Sequence, residues 1–166
     1  MSKILVFVAT NGTNKSLAEN VGEILNEHGQ KYEMVFLESE NLPMYTTTRQ
    51  KEGCPGRIAE ITEVAKAAKG FIFVGPEYNG SMPPVFNNLM AWLSTSDKDW
   101  RMAFNGKFSL LATSSGGPGM KYQMAMGQML NHIGSVVIPR MISVNGGKPF
   151  NSESANAIIK QFLGHL

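Results

Sequence analysis

The chain has 166 residues, enough for one domain with a substantial apolar core. Fifteen Lys and Arg against thirteen Asp and Glu leave a formal charge of +2, too mild a balance to make nucleic acid the main partner. The lone cysteine, Cys54, excludes an internal disulfide and a multi-cysteine metal site, and the three His are dispersed without metal-ligand spacing. No apolar run approaches the length of a membrane span, so no span is expected. The start, with Met1, Ser2 and Lys3 ahead of an apolar run, is too brief for a signal peptide, and the expected location is the cytoplasm.

Along the chain two periods alternate. Residues 4–9 (ILVFVA) are apolar throughout, as in a strand covered on both faces. A Gly/Asn/Thr loop follows, then a helical stripe at Leu17, Val21, Ile24 and Leu25, which Gly29 is placed to stop after His28. Residues 33–37 (EMVFL) read as a second strand, and 40–56 as a polar, turn-rich connection. A second stripe runs through Ile58, Ile61, Val64, Ala65 and Ala68, and residues 71–75 (FIFVG) form a third strand. The stripe Val85, Leu89, Trp92, Leu93 marks a third helix, with Pro83 or Pro84 in its first turn, where a missing N–H costs nothing. Residues 107–113 (KFSLLAT) are a fourth strand, followed by a helix carrying Tyr122, Met126, Met129, Leu130 and Ile133. A fifth strand is predicted at 134–139 (GSVVIP), and a last helix carries Ala155, Ile158, Ile159, Phe162 and Leu163. Five strands alternating with five helices predict an α/β fold: a doubly wound parallel sheet with helices on both faces, three layers, filling residues 1–166 as a single domain. Strand order 2-1-3-4-5 is the common five-stranded solution, with ligand at the carboxyl ends of the strands.

Three loops at those ends carry unusual chemistry. Thr10-Asn11-Gly12-Thr13-Asn14-Lys15-Ser16 offers hydroxyls and free N–H groups at a helix start, suited to a phosphate or to an ordinary helix cap. It has neither the three glycines of the dinucleotide fingerprint nor the Gly-Lys-Ser/Thr ending of a P-loop. Pro76-Glu77-Tyr78-Asn79-Gly80-Ser81 places an aromatic before Asn-Gly, a pair that favours positive φ and presents backbone groups outward. Such a turn suits the edge and face of a flat heterocycle, or is simply a tight turn with Tyr78 packed on a neighbour. Glu77 has no partner in sequence and receives no acid/base role. Ser114-Ser115-Gly116-Gly117-Pro118-Gly119 lets backbone approach a ligand closely, or is flexible and binds nothing. Together the three loops point to one composite site for a phosphorylated planar cofactor.

At this point a resemblance becomes specific. PEYNGSMPP with Phe86-Asn87-Asn88 and Ala91-Trp92-Leu93-Ser94, then Gly106-Lys107, LLATSSGGPG and HIGSVVIP, resembles the NADPH-dependent FMN reductase family of flavodoxin-like proteins over about residues 1–140. The resemblance implies FMN as cofactor, NADPH or NADH as electron donor, and a small acceptor such as a flavin or quinone. It implies that Thr10, Asn11, Thr13, Asn14 and Ser16 form the pocket for the FMN phosphate. Pro76, Glu77, Tyr78, Asn79 and Gly80 would wrap the isoalloxazine and ribityl region, and Ser114, Ser115, Gly116 and Gly117 would border the ring. One departure is visible: family members usually carry an Arg in the first loop, and Ala9-Thr10-Asn11-Gly12 does not, leaving Lys15 or N–H groups and hydroxyls in its place. Hydride would pass from the nicotinamide to the flavin, with no side-chain nucleophile or base, so no catalytic residue is named. A flavodoxin-type electron carrier shares fold and cofactor, but such carriers are commonly strongly acidic and this chain is not. A member that keeps the fold without flavin is the other alternative.

Among the remaining residues, Cys54 reads as a free thiol, and His28 and His132 as residues of helix ends. Met120, Met124, Met126 and Met129, with Met90 and Trp92, exceed one buried stripe and suggest a subunit interface; the family resemblance also implies a homodimer or homotetramer. Residues 42–51 are a candidate lid, and 95–105, with Trp100 and Phe104, a candidate rim.

Overall fold

A computed structural model describes residues 2–166. Met1 of the opening run lies outside the described residues. In chain order the elements are β1 (Ile4–Val8), α1 (Thr13–Glu27), β2 (Tyr32–Phe36), α2 (Leu37–Glu40), α3 (Thr47–Glu52), α4 (Gly56–Ala67), β3 (Gly70–Val74), α5 (Pro84–Thr95), β4 (Phe108–Ser114), α6 (Met120–His132), β5 (Val136–Val137), β6 (Ile142–Val144) and α7 (Ser152–Leu163). All pairings are parallel, in the order β2-β1-β3-β4-β5, with β6 also on β4. This is the expected three-layer sandwich.

Period-two geometry divides each central strand between two cores. Leu5, Phe7, Phe71, Phe73 and Leu111 pack toward α4, α5 and α6, with Phe86, Leu89, Tyr122 and Met126. Ile4, Val6, Val8, Ile72, Val74 and Leu110 pack toward α1 and α7, with Leu17, Val21, Ile159 and Phe162. Every residue of β1 and β3 is buried, which is why both strands are apolar without alternation.

The predicted helix ends hold: α1 stops at Glu27, His28 caps it and Gly29 follows at φ 65°, while Pro84 opens α5. Two differences matter. The stretch 40–56 is not all turn, because the short helix α3 begins there with a Thr46 cap on the Arg49 N–H. The fifth strand is not the single segment 134–139. Val136 and Val137 pair with Phe108 and Ser109, and Ile142 to Val144 pair with Ala112 to Ser114. Four residues (138–141) therefore stand opposite two (110–111), and the ladder bulges outward around Pro139, which has no N–H to donate. The bulge carries the strand further along β4, so that its end reaches the same edge as β1, β3 and β4.

Trp92 and Met90, expected among surplus surface groups, are instead core: Trp92 is 1% exposed and its indole N–H donates to the Pro43 carbonyl at 2.7 Å. Phe104 is likewise buried, its ring centroid 4.8 Å from that of Phe71 and tilted by 45°, whereas Trp100 stays partly exposed beside His132. Met120 and Met124 remain on the surface.

Candidate functional site

A cleft of about 690 Å³ opens at the carboxyl ends of β1, β3, β4 and β6, within the range of small-molecule sites. It lies where the chain order reverses, between β1 and its neighbour β3. Thr10, Thr13 and Asn14 of the first loop, Pro76, Glu77 and Tyr78 of the second, and Ser114, Ser115 and Gly116 of the third all line it. The three loops thus meet as the sequence led us to expect. Asn11, Ser16, Asn79, Gly80 and Gly117 belong to the same loops but stand outside the cleft wall. Gly12, named only as part of the first loop, lines it too, and Glu38, Val144, Asn145 and Gly146 line it without having been singled out from the sequence.

The first loop leads into a helix of 15 residues that lacks a side-chain cap, with Gly12 at the cap position. Its first-turn N–H groups at Thr13 and Asn14 have no intrahelical acceptor, and only the Lys15 N–H closes back, onto the Gly12 carbonyl at 2.9 Å. The site therefore ends in free donors at the positive end of a helix dipole. Asn14 is 2% exposed, and its amide grips the Ser114 backbone twice: Nδ2 donates to the carbonyl at 2.9 Å and Oδ1 accepts the N–H at 2.8 Å. One side chain thereby fixes the first loop against the third. Lys15 does not reach the cleft wall; its ammonium lies over the Phe36 ring, 5.6 Å from the centroid.

The second loop is a two-residue hairpin. Tyr78 and Ser81 exchange both backbone hydrogen bonds, at 3.0 and 2.9 Å, around Asn79 at φ 48° and Gly80 at φ 71°. Positive φ at both central positions is the type I′ turn that Asn-Gly favours. It leaves Tyr78 48% exposed at the cleft mouth. Glu77, unassigned from sequence, has a structural partner: its carboxylate accepts the N–H groups of Lys121 at 3.0 Å and Tyr122 at 3.4 Å, capping α6. Its own N–H donates to the Ser115 hydroxyl oxygen at 2.7 Å, and that hydroxyl also bonds Thr113 at 2.8 Å. Tyr122, buried beneath, donates its hydroxyl to the Phe73 carbonyl at 3.0 Å, and burial pushes its phenol pKa well up. Second loop, third loop and α6 are one hydrogen-bonded unit.

The fourth loop is the one the sequence reading missed. The Ser115 N–H donates to the Val144 carbonyl at 3.1 Å, and Asn145 pairs with Lys148 around Gly146-Gly147. An Asn-Gly-Gly triplet after an apolar run was the available signal, hidden because the predicted strand ended at 139, five residues short of the end of β6 at Val144.

No Lys, Arg or His lines the cleft among the described residues, and its two charged residues are the acids Glu38 and Glu77. Among the same residues, no group of His, Cys, Asp and Glu could hold a metal ion. No described helix is long and apolar enough to cross a membrane.

Doubly wound sheet order, a cleft at the chain reversal and an uncapped helix start define the flavodoxin-like class of mononucleotide-binding proteins. The chain belongs to the NADPH-dependent FMN reductase family, whose model matches residues 2–148. It is an FMN-containing oxidoreductase that draws electrons from NAD(P)H. A quinone reductase of Escherichia coli K12 is 34% identical over 131 residues, covering 76% of this chain and 68% of that protein. Among solved structures, FerB, a flavoenzyme NAD(P)H:(acceptor) oxidoreductase of Paracoccus denitrificans, superposes with a TM-score of 0.77 at 18% identity, over 99% of this chain and 95% of that one. An archaeal flavodoxin superposes with a TM-score of 0.68 at 14% identity, over 99% and 97%. Fold alone is therefore common to reductases and carriers.

Proposed function

We propose that the cleft binds FMN with its phosphate on the Thr10–Asn14 loop and its ring system between the Tyr78 turn and Ser114–Gly116, and that the enzyme passes electrons from NAD(P)H to a quinone or free flavin. The observation that carries this reading is the cleft itself: free donors of an uncapped helix at one end, an exposed aromatic turn at the other. The fit to FMN is chemical. Unpaired Thr13 and Asn14 N–H groups and the Thr10 and Thr13 hydroxyls suit phosphate oxygens. At Gly116 an added Cβ would meet nothing within 4 Å, so backbone there can lie against a ligand.

When bound, FMN supplies the redox chemistry, accepting hydride from the nicotinamide and passing electrons to the acceptor. The chain's own residues bind and orient. The Tyr78 and Ser115 N–H groups are committed to the Ser81 and Val144 carbonyls, which leaves the N–H groups of Asn79, Gly80 and Gly116 for the polar edge of the ring, where negative charge accumulates on reduction. The rigid unit of Glu77, Ser115 and α6 keeps those groups in place. No side chain of the cleft is required to move a proton, and no residue is assigned as catalytic.

The resemblance to a quinone reductase supports a quinone acceptor. Residues 1–166 act as one FMN-binding domain in this reading, since both apolar cores pack on one sheet. A homodimer or homotetramer is supported by Met120 and Met124, 56% and 71% exposed and one helical turn apart beside the Tyr78 turn. A cytoplasmic location fits the supply of NAD(P)H and the exposed free thiol of Cys54.

The test is to identify the flavin in purified protein and follow its absorbance. NADPH or NADH bleaches it within a turnover time, and a quinone or free flavin restores the colour on the same scale. Bleaching by strong chemical reductants only would assign the chain to the carriers instead.

A further inference from the structure

The carboxylate of Glu38 sits beside the donor loop, at the end of the cleft that should favour an incoming anion most. Glu38 lies in the first turn of α2, directly after β2, and its Oε2 accepts the Asn11 backbone N–H at 2.5 Å. Neighbouring Ser39 holds the Asn11 side chain on both sides, at 3.1 and 3.2 Å. The start of α2 is thus fastened to the loop that ends in the free donors of α1. Glu38 also lines the cleft. No cation among the described residues lines the cleft to offset it: Lys15 is turned onto the Phe36 ring. Asn11 and Thr13 are two residues apart, at most about 7 Å of chain. A phosphate on the Thr13 and Asn14 donors, lining the same cleft, therefore stands at a separation on the order of a Debye length, about 10 Å, from this negative charge.

We propose that Glu38 opposes the cofactor phosphate electrostatically, so that this chain distinguishes FMN from unphosphorylated riboflavin less sharply than its donor-rich loop would by itself. The inference rests on the phosphate placement proposed above. The physical logic is a difference between ligands. Both flavins present the same ring to the Tyr78 turn and Ser114–Gly116, and only FMN presents a dianion near Glu38. Removing the charge while keeping the acceptor isolates the effect, because the amide oxygen of a glutamine can still accept the Asn11 N–H. Loop geometry is preserved and only the repulsion is lost.

The experiment titrates flavin-free protein with FMN and, separately, with riboflavin, reading quenching of flavin fluorescence. Glu38→Gln tightens FMN about five- to tenfold, the order expected for one charge acting across several ångströms of partly solvated protein. Riboflavin affinity moves less than twofold, and the FMN gain shrinks as salt is raised. A second variant, Thr13→Asp, puts a charge into the donor loop itself at a helix position that welcomes an acid; it weakens FMN far more than riboflavin. If Thr13→Asp separates the two flavins and Glu38→Gln does not, the phosphate placement stands and the role of Glu38 is wrong. If Glu38→Gln changes both flavins equally or weakens FMN, the role of Glu38 is wrong as well. If neither variant separates the flavins, the phosphate lies elsewhere and both readings fall.

Discussion

Replacing Asn14 with alanine removes the side chain that, among the described residues, ties the first loop to the third. The two hydrogen bonds to Ser114, at 2.9 and 2.8 Å, are made by a residue only 2% exposed, so water does not easily replace them. A net contribution of about 0.5–1.5 kcal/mol per bond, and a backbone N–H left without its acceptor, give a loss of about 2–3 kcal/mol for Asn14→Ala. For a chain of 166 residues that corresponds to a melting temperature lower by about 5–10 °C. Urea unfolding of the flavin-free protein, with an unchanged slope, measures it directly. Asn14→Asp is an informative partner. Its carboxylate can still accept the Ser114 N–H but has no donor for the Ser114 carbonyl, so it recovers at most part of the loss. FMN affinity falls about tenfold in Asn14→Ala, because two walls of the cleft are no longer held in register. A stability loss below about 0.5 kcal/mol in Asn14→Ala would refute the clamp.

Three further outcomes follow from other contacts. Glu77→Ala strips the cap from α6 and costs about 1 kcal/mol in chemical unfolding; an unchanged midpoint would mean that the α6 donors are satisfied by water. Gly80→Ala forces a β-carbon onto φ 71° and to 3.2 Å from the Lys121 Cδ, for a loss of about 1–2 kcal/mol and weaker flavin binding; wild-type values on both readouts would show that the I′ turn is not required. The third concerns pH. The Arg57 guanidinium bonds Glu40 and holds its carboxyl pKa below the ordinary range, against a smaller opposing effect of burial. A lowered folded pKa means that this stabilisation is complete above the unfolded-chain value near 4.5 and disappears as pH falls through the folded one. Because Arg57 is 44% exposed, the contribution is under about 1 kcal/mol. The stability difference between wild type and Arg57→Ala should therefore narrow in acid, and a constant difference from neutral pH into acid would contradict the assignment.

What could be read in the residues was what depends on local chemistry. The unbroken apolar runs at 4–9 and 71–75 announced the strands observed at Ile4–Val8 and Gly70–Val74, and the two cores on opposite sides of the sheet explain why no alternation was visible. Asn79-Gly80 announced its turn because both residues accept the positive φ that a type I′ two-residue hairpin requires. The fourth wall of the cleft was not legible, because the apolar run before Pro139 looks like a complete strand and the bulge that re-aims the chain depends on pairing with β4. Nor could the roles of Glu38 and Glu77 be read. Their partners lie 27 and 44 residues away, and only the fold brings a carboxylate from β2's end to Asn11 and one from β3's end to α6. Asn14 was singled out as a ligand for phosphate, and its amide is committed to Ser114, a distance of 100 residues that no local pattern encodes.

The most direct measurement is the backbone amide spectrum of isotopically labelled, flavin-free protein, recorded with FMN and with riboflavin. FMN should shift the amides of Gly12, Thr13 and Asn14 together with those of Tyr78 to Gly80, Ser115, Gly116 and Gly146, whereas riboflavin should shift all but the first group strongly. Shifts centred elsewhere, for instance on the separate cleft around Arg49, Cys54 and Trp92, or a first loop equally indifferent to both flavins, would contradict the account.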